Sequence, residues 1–182
     1  VCEARPGKII ATGLMSGAFV IDKQTNEVEH ITPQTFGSDT PPDRGIRSVY
    51  TDRNGIIWVA GEEALVRIDW DKKKISSSPL ASQAMLIKSR DDDNFWLVTL
   101  NGLYSVDINT GQKTKYSLPE NCIDINDVLS ARNGDLYIAT ADEGLFVKKA
   151  PPSSSNFKQY TIFNSGLISN NVLALVEDDS CN

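Results

Sequence analysis

Asp52-Arg53-Asn54-Gly55-Ile56-Ile57-Trp58 joins a polar Asn-Gly turn to an apolar run that ends on a large aromatic residue. The same shape returns in Asp92-Asp93-Asn94-Phe95-Trp96 and in Ala131-Arg132-Asn133-Gly134-Asp135-Leu136-Tyr137. The aromatic residues stand 38 and 41 positions apart (96 − 58 and 137 − 96). Self-similarity at a period of about 40 residues marks a repeat architecture.

Around each copy the same order of elements can be read. The run at the aromatic is followed by a turn and a second short strand: Trp58-Val59-Ala60-Gly61 with Leu65-Val66-Arg67-Ile68-Asp69, and Tyr137-Ile138-Ala139-Thr140 with Gly144-Leu145-Phe146-Val147. Near the start, Lys8-Ile9-Ile10-Ala11-Thr12 with Ala18-Phe19-Val20-Ile21-Asp22 is the same pair. Polar connections rich in turn formers come next, such as Lys23-Gln24-Thr25-Asn26 and Asn109-Thr110-Gly111-Gln112. Alternating outer strands are predicted at 27–31, around Ile75, at 113–116 and at 157–161. Apolar, β-branched strands are predicted ahead of the next turn at 46–50, 84–87, 125–129 and 172–176.

Four short antiparallel strands per period, with turn signals and no helical periodicity, describe the blades of a β-propeller. A β-sandwich is the alternative, but sandwich strands have no reason to repeat one turn and one aromatic position, whereas blades in a ring face equivalent neighbours. The fold class expected is therefore all-β, with approximate blades at 1–45, 46–83, 84–122 and 123–170 and a remainder at 171–182. Trp58, Trp96 and Tyr137 are read as packing residues between blades rather than as ligand platforms.

Composition narrows the function classes. The chain has 182 residues, 40% of them hydrophobic and 23% charged, enough to bury a core. Its apolar runs fall far short of the roughly 20 residues of a membrane-spanning helix. A formal charge of −6 argues against binding a nucleic-acid backbone, and Lys72-Lys73-Lys74 reads as a solvated turn. Cys2, Cys122 and Cys181 are odd in number and widely spaced, which indicates neither zinc nor a disulfide framework.

Two stretches carry a family resemblance. Val49-Tyr50-Thr51-Asp52-Arg53-Asn54-Gly55-Ile56-Ile57-Trp58-Val59-Ala60 resembles the two-component regulator propeller repeat. Asn164-Ser165-Gly166-Leu167-Ile168-Ser169-Asn170-Asn171-Val172-Leu173-Ala174-Leu175-Val176-Glu177-Asp178 resembles the loop and inner strand that open another. Ala60-Gly61 and Leu100-Asn101 depart from the usual end of the second strand, and Ile9 or Ile10 stands where the first repeat would have an aromatic. The resemblance implies a periplasmic sensor domain of bacterial hybrid two-component systems, often tuned to oligosaccharides. It also implies a membrane span, histidine kinase, receiver and DNA-binding domain elsewhere on the polypeptide, with the remaining blades and a homodimer as partners. No cofactor is implied.

No constellation for catalysis is legible. His30, the single histidine, sits on an alternating strand with no nucleophile in its context and reads as a surface residue. Asp91-Asp92-Asp93 and Asp178-Asp179 lack the glycine and terminal glutamate of a calcium loop. The expectation is therefore a binding segment without turnover. A protein-interaction scaffold is the rival reading, and so is a carbohydrate-active propeller enzyme, whose paired carboxylates could come from distant blades.

In a four-strand meander the turn after the second strand and the crossover to the next blade share one end. That end holds the 33–45 crossover and the polar residues Arg44, Arg47, Glu62, Glu63, Asn101, Asn126, Asp142, Glu143, Asn170 and Asn171, which are the candidate ligand-binding residues. Finally, Asp178-Asp179-Ser180-Cys181 aligns on Asp52-Arg53-Asn54-Gly55, and Ala4-Arg5-Pro6-Gly7 on Ala131-Arg132-Asn133-Gly134. Two arrangements follow. In the favoured one the blades form an open segment of a larger propeller of about seven. In the other, 172–176 pairs with 9–12 and closes a four-bladed ring.

Overall fold

The structure is a computed structural model and describes residues 2–5, 7–13, 17–31, 45–151 and 156–178. No described residue is helical. The strands are β1 (Cys2–Arg5), β2 (Lys8–Gly13), β3 (Gly17–Asp22), β4 (Val28–Ile31), β5 (Ser48–Thr51), β6 (Ile57–Ala60), β7 (Ala64–Asp69) and β8 (Lys74–Pro79). They continue as β9 (Ala84–Ser89), β10 (Asn94–Thr99), β11 (Gly102–Asp107), β12 (Lys113–Lys115), β13 (Ile125–Ser130), β14 (Leu136–Thr140), β15 (Leu145–Lys148) and β16 (Phe157–Tyr160). Each run of four consecutive strands forms one sheet in sequence order. Four such meanders in succession are the blades expected of a propeller.

The Asn-Gly turns explain why the strands begin where they do. In the second sheet Asp52 N–H donates to Ile56 O and Gly55 N–H to Asp52 O, both at 2.9 Å, with Gly55 at φ 74°. In the fourth, Ala131 N–H donates to Asp135 O and Gly134 N–H to Ala131 O, both at 2.8 Å, with Gly134 at φ 85°. The turn residue at positive φ must be one that tolerates it, and glycine does so without a Cβ penalty. The Asp52 side chain completes the first of these turns by accepting Asn54 N–H at 2.9 Å and Ile56 N–H at 3.1 Å.

The chain divides into two compact units: Val1–Ile87 with Leu97–Asn101, and Lys88–Trp96 with Gly102–Asn182. In the first, Ile10, Val20, Ile31, Val49, Ile57, Val59 and Ile68 form one buried cluster. Ile57 and Val59, two apart on β6, lie on the same face of that strand. In the second unit Phe95, Leu103, Val106, Ile138 and Phe146 are buried.

Trp58 and Trp96 are each 2% exposed, so both are packing residues. They are held differently. Trp58 Nε1 donates to Asp52 Oδ2 of its own turn at 2.8 Å. Trp96 Nε1 donates to Ser130 Oγ on β13, one sheet further along, at 2.8 Å, and its ring meets Tyr116 edge-on at 5.0 Å. Arg90 stands in the third turn where Asp52 stands in the second; its guanidinium lies 4.5 Å over the Trp96 ring and donates to Ser105 Oγ.

Two expectations are corrected. The run 172–176 is not a strand: an extended segment becomes one only when a neighbour completes its ladder, and 172–178 pairs with no described strand. The ring-closing alternative, in which 172–176 would supply the first sheet's inner strand, fails as well. Cys2–Arg5 supplies it, with Cys2 opposite Ile10, so β2 has β1 on one edge and β3 on the other. With Ile9 and Ile10 paired on both edges, and 172–176 paired with no described strand, the four sheets do not close through that pairing. The sheets form an open segment of a β-propeller.

Candidate functional site

In the second, third and fourth sheets, backbone hydrogen bonds tie the turn after the second strand to the segments that enter or leave the sheet at the same end. In the first unit Arg47 N–H donates to Ala60 O at 3.0 Å, Leu80 N–H to Glu63 O at 2.8 Å, Ala84 N–H to Gly61 O at 3.2 Å and Leu100 N–H to Gln83 O at 3.1 Å. In the second unit Ala141 N–H donates to Asp124 O at 3.0 Å, Gly144 N–H to Asn170 O at 2.9 Å and Val172 N–H to Thr140 O at 3.0 Å. Such bonds between irregular segments fix loops that would otherwise leave backbone groups unpaired.

The predicted residues fall into two groups, one in each unit. Arg47, Glu62, Glu63 and Asn101 are exposed in the first. Glu62 Oε1 accepts Gln83 Nε2–H at 3.1 Å, and Gly45 (φ 76°) lies so close that a Cβ there would meet the Glu62 carboxyl carbon at 2.5 Å. In the second unit Asp142 and Asn171 are exposed, and Asn126, Glu143 and Asn170 half-buried. Arg44 lies outside the described residues, as does most of the 33–45 crossover.

Several of these side chains build the corner rather than face outward from it. Asn126 Nδ2 donates to Val172 O at 2.9 Å and to Asn171 Oδ1 at 3.2 Å. Asn170 Oδ1 accepts Ile162 N–H at 2.9 Å. Glu143 accepts Gln159 Nε2–H twice, at its carbonyl (2.8 Å) and at Oε2 (3.1 Å). Arg47, Glu62, Asn101 and Asp142 are exposed instead.

Sequence reasoning passed over the residues beneath this end. Thr140 is fully buried; its hydroxyl donates to Gly144 O at 2.8 Å and accepts Glu143 N–H at 3.1 Å. Thr99, at the matching end of β10, accepts Asn101 N–H at 3.1 Å. A threonine closing the second strand is the signal that could have found them, since its hydroxyl can tie the following turn. Asp124 holds φ 47° while its carbonyl receives Ala141.

Carboxylates elsewhere serve turns. Lys149 at 2.7 Å from Asp135 Oδ2, helped by Ala150 N–H at 2.9 Å, holds that carboxyl below the usual aspartate range. Asp91 accepts Asp93 N–H at 3.0 Å and Asn94 Nδ2–H at 2.8 Å, which makes Asp91-Asp92-Asp93 an exposed turn. Among the described residues no group of three His, Cys, Asp or Glu side chains is placed to share a metal ion. His30 is exposed and stacks on Phe19 at 4.6 Å.

Residues 40–63, which span the Asp52 turn and β6, match the family model of the two component regulator propeller. That stretch is similar to a two-component regulator propeller repeat. Solved structures share the fold over nearly all of it. The extracellular domain of BT3049 of B. thetaiotaomicron, described as a hybrid two component system, is 15% identical over 94% of this chain and 22% of its own, with a TM-score of 0.70. The extracellular domain of BT4673 of the same organism, described as a one component system, is 20% identical over 97% of this chain and 24% of its own, with a TM-score of 0.75. Virginiamycin B lyase of Staphylococcus aureus is 14% identical over 87% of this chain and 53% of its own, with a TM-score of 0.67. The chain thus spans less than a quarter of the length of the two extracellular domains. No curated protein matches it. No described helix is long and apolar enough to cross a membrane.

Proposed function

We propose that this propeller segment is part of the extracytoplasmic, periplasmic sensor of a hybrid two-component protein, and that it binds oligosaccharide without turning it over. The match at 40–63, on a fold shared with the extracellular domain of a protein described as a hybrid two component system, is the observation that supports the reading. The ligand would meet the loop ends described above, at Arg47, Glu62, Glu63 and Asn101 of the first unit or at Asp142 of the second, whose exposed polar groups suit hydroxyl-rich molecules. The histidine kinase, the other blades and a homodimeric arrangement belong to the same reading as its partners.

Calorimetric titration of the chain against a panel of plant, host and microbial oligosaccharides tests it. Saturable binding, weakened about fivefold or more by Arg47→Ala or Asp142→Ala with folding stability changed by less than about 0.5 kcal/mol, is the expected result. Absence of binding across the panel overturns it. New reducing ends or unsaturated products would instead make the segment an enzyme. A protein-interaction scaffold is the second reading, favoured by Phe163 and Ile168, which are 89% and 101% exposed in the loop that carries Asn170.

A further inference from the structure

Strand β13 contains one residue more than its partner can match: Ile125 lies opposite Thr140 and Asp127 opposite Ala139, which leaves Asn126 as the extra residue of a bulge. Neighbours on an unbroken strand point to opposite faces, and a bulge re-aims them. Here both side chains reach the same passing segment. Asn126 Nδ2 donates to Val172 O and Asn171 Oδ1, and Asp127 Oδ2 accepts Leu175 N–H at 2.9 Å.

Asp127 is 4% exposed, and a buried carboxylate is tolerated where donors surround it. Lys88 Nζ approaches Oδ1 to 3.1 Å and Val128 N–H donates to the same atom at 2.9 Å. The first unit contains a neutral form of the device: Ser48 Oγ on β5 accepts Ile87 N–H of β9 at 3.0 Å, 39 residues on. Ser48 and Asp127 hold the same place in their repeats, four residues before the turn residues Asp52 and Ala131. Each caps an amide of the segment one period later. What distinguishes β13 is that the bulge adds Asn126 as a second contact, and that the capped segment pairs with no described strand.

We propose that Asn126 and Asp127 are the positioning residues of the Asn170–Asn171 corner, a two-point clamp that seats 171–175 beside β13 and so decides where that corner presents its polar groups. The purpose of the clamp rests on the ligand reading above; its existence does not. Asn170 and Asn171 directly precede the clamped residues, and Asn170 O is itself tied to Gly144 N–H.

Amide hydrogen exchange followed by mass spectrometry on the unliganded chain tests the clamp. Asp127→Ala and Asn126→Ala should each speed exchange in peptides covering 171–177 by about tenfold or more while peptides covering β14 and β15 keep wild-type rates. Asp127→Asn should restore part of the protection, because its one amide oxygen can still accept Leu175 N–H while the acceptor for Val128 N–H and Lys88 is lost. Wild-type exchange at 171–177 in both alanine variants overturns the proposal. So does loss of protection throughout the chain in both, which would make the pair a determinant of the whole fold. Asn126→Ala leaves no buried charge behind, so it reports even where Asp127→Ala fails to fold. A glycan panel without binders would refute the ligand reading and leave the exchange result standing.

Discussion

The Asp52 carboxylate binds its own turn through one oxygen and the Trp58 indole through the other, with Nε1 donating to Oδ2 at 2.8 Å inside the core. One side chain thus fixes both the turn and the aromatic that the turn delivers. Asp52→Ala removes an acceptor from a buried indole N–H and two from backbone amides, and should lower stability by about 2–4 kcal/mol. Asp52→Asn keeps one acceptor oxygen and should cost about half as much. Urea unfolding followed by Trp fluorescence measures both, and equal effects would show that the one oxygen Asp52→Asn retains contributes nothing.

Glycine substitutions separate backbone strain from crowding. At Gly144 (φ 80°) a Cβ would sit 2.1 Å from Tyr160 O, so Gly144→Ala should cost about 3 kcal/mol. Gly55 (φ 74°) faces open space, and Gly55→Ala should cost about 1 kcal/mol from conformation alone. Gly166 has neither constraint, and Gly166→Ala should stay within about 0.5 kcal/mol. Any other order in denaturant midpoints contradicts the geometry.

Acid should weaken the first sheet through Asp22. The Lys8 ammonium, then Thr25 and Gln24 N–H, hold that carboxyl down to about 2. A carboxyl depressed on folding contributes stability above the ordinary aspartate pKa of about 4 and loses it as pH falls through the folded value. The stability gap between wild type and Asp22→Asn should therefore be constant from pH 7 to 5 and close between about pH 4 and 2. A gap that persists at pH 2 would show that charge is not its source.

Cys122 is buried, and burial pushes its thiol up to about 12. The thiolate is the reactive form, so a chain with Cys2→Ser and Cys181→Ser should resist thiol reagents at pH 8 until denatured. Prompt labelling of the native protein would place Cys122 in an opening segment.

The strands that hold Trp58, Trp96 and Tyr137 were legible because one pattern of turn, apolar run and aromatic repeats, and repetition turns weak local signals into a fold. Cys2–Arg5 escaped notice because four residues without apolar alternation carry no strand signature; their pairing with β2 makes them a strand. The opposite error arose at 172–176, where β-branched apolar residues look like a strand and lack a described partner. At the candidate site, residue type placed Asn126 and Asn170 correctly on loops or strand starts. Their roles were hidden because a bulge at Asn126, invisible in the sequence, decides which way its amide faces.

Trp96 donates to Ser130, which lies 34 residues downstream in the following sheet. A bond of that kind makes the junction, rather than the blade, the unit that is inherited. Duplication, deletion or grafting of a segment cut between β12 and β13 would carry the donor away from its acceptor, whereas a cut through the middle of two sheets would keep them together. Chimeras between propellers of this type should therefore tolerate crossovers within equivalent strands better than crossovers in the loops that separate the sheets.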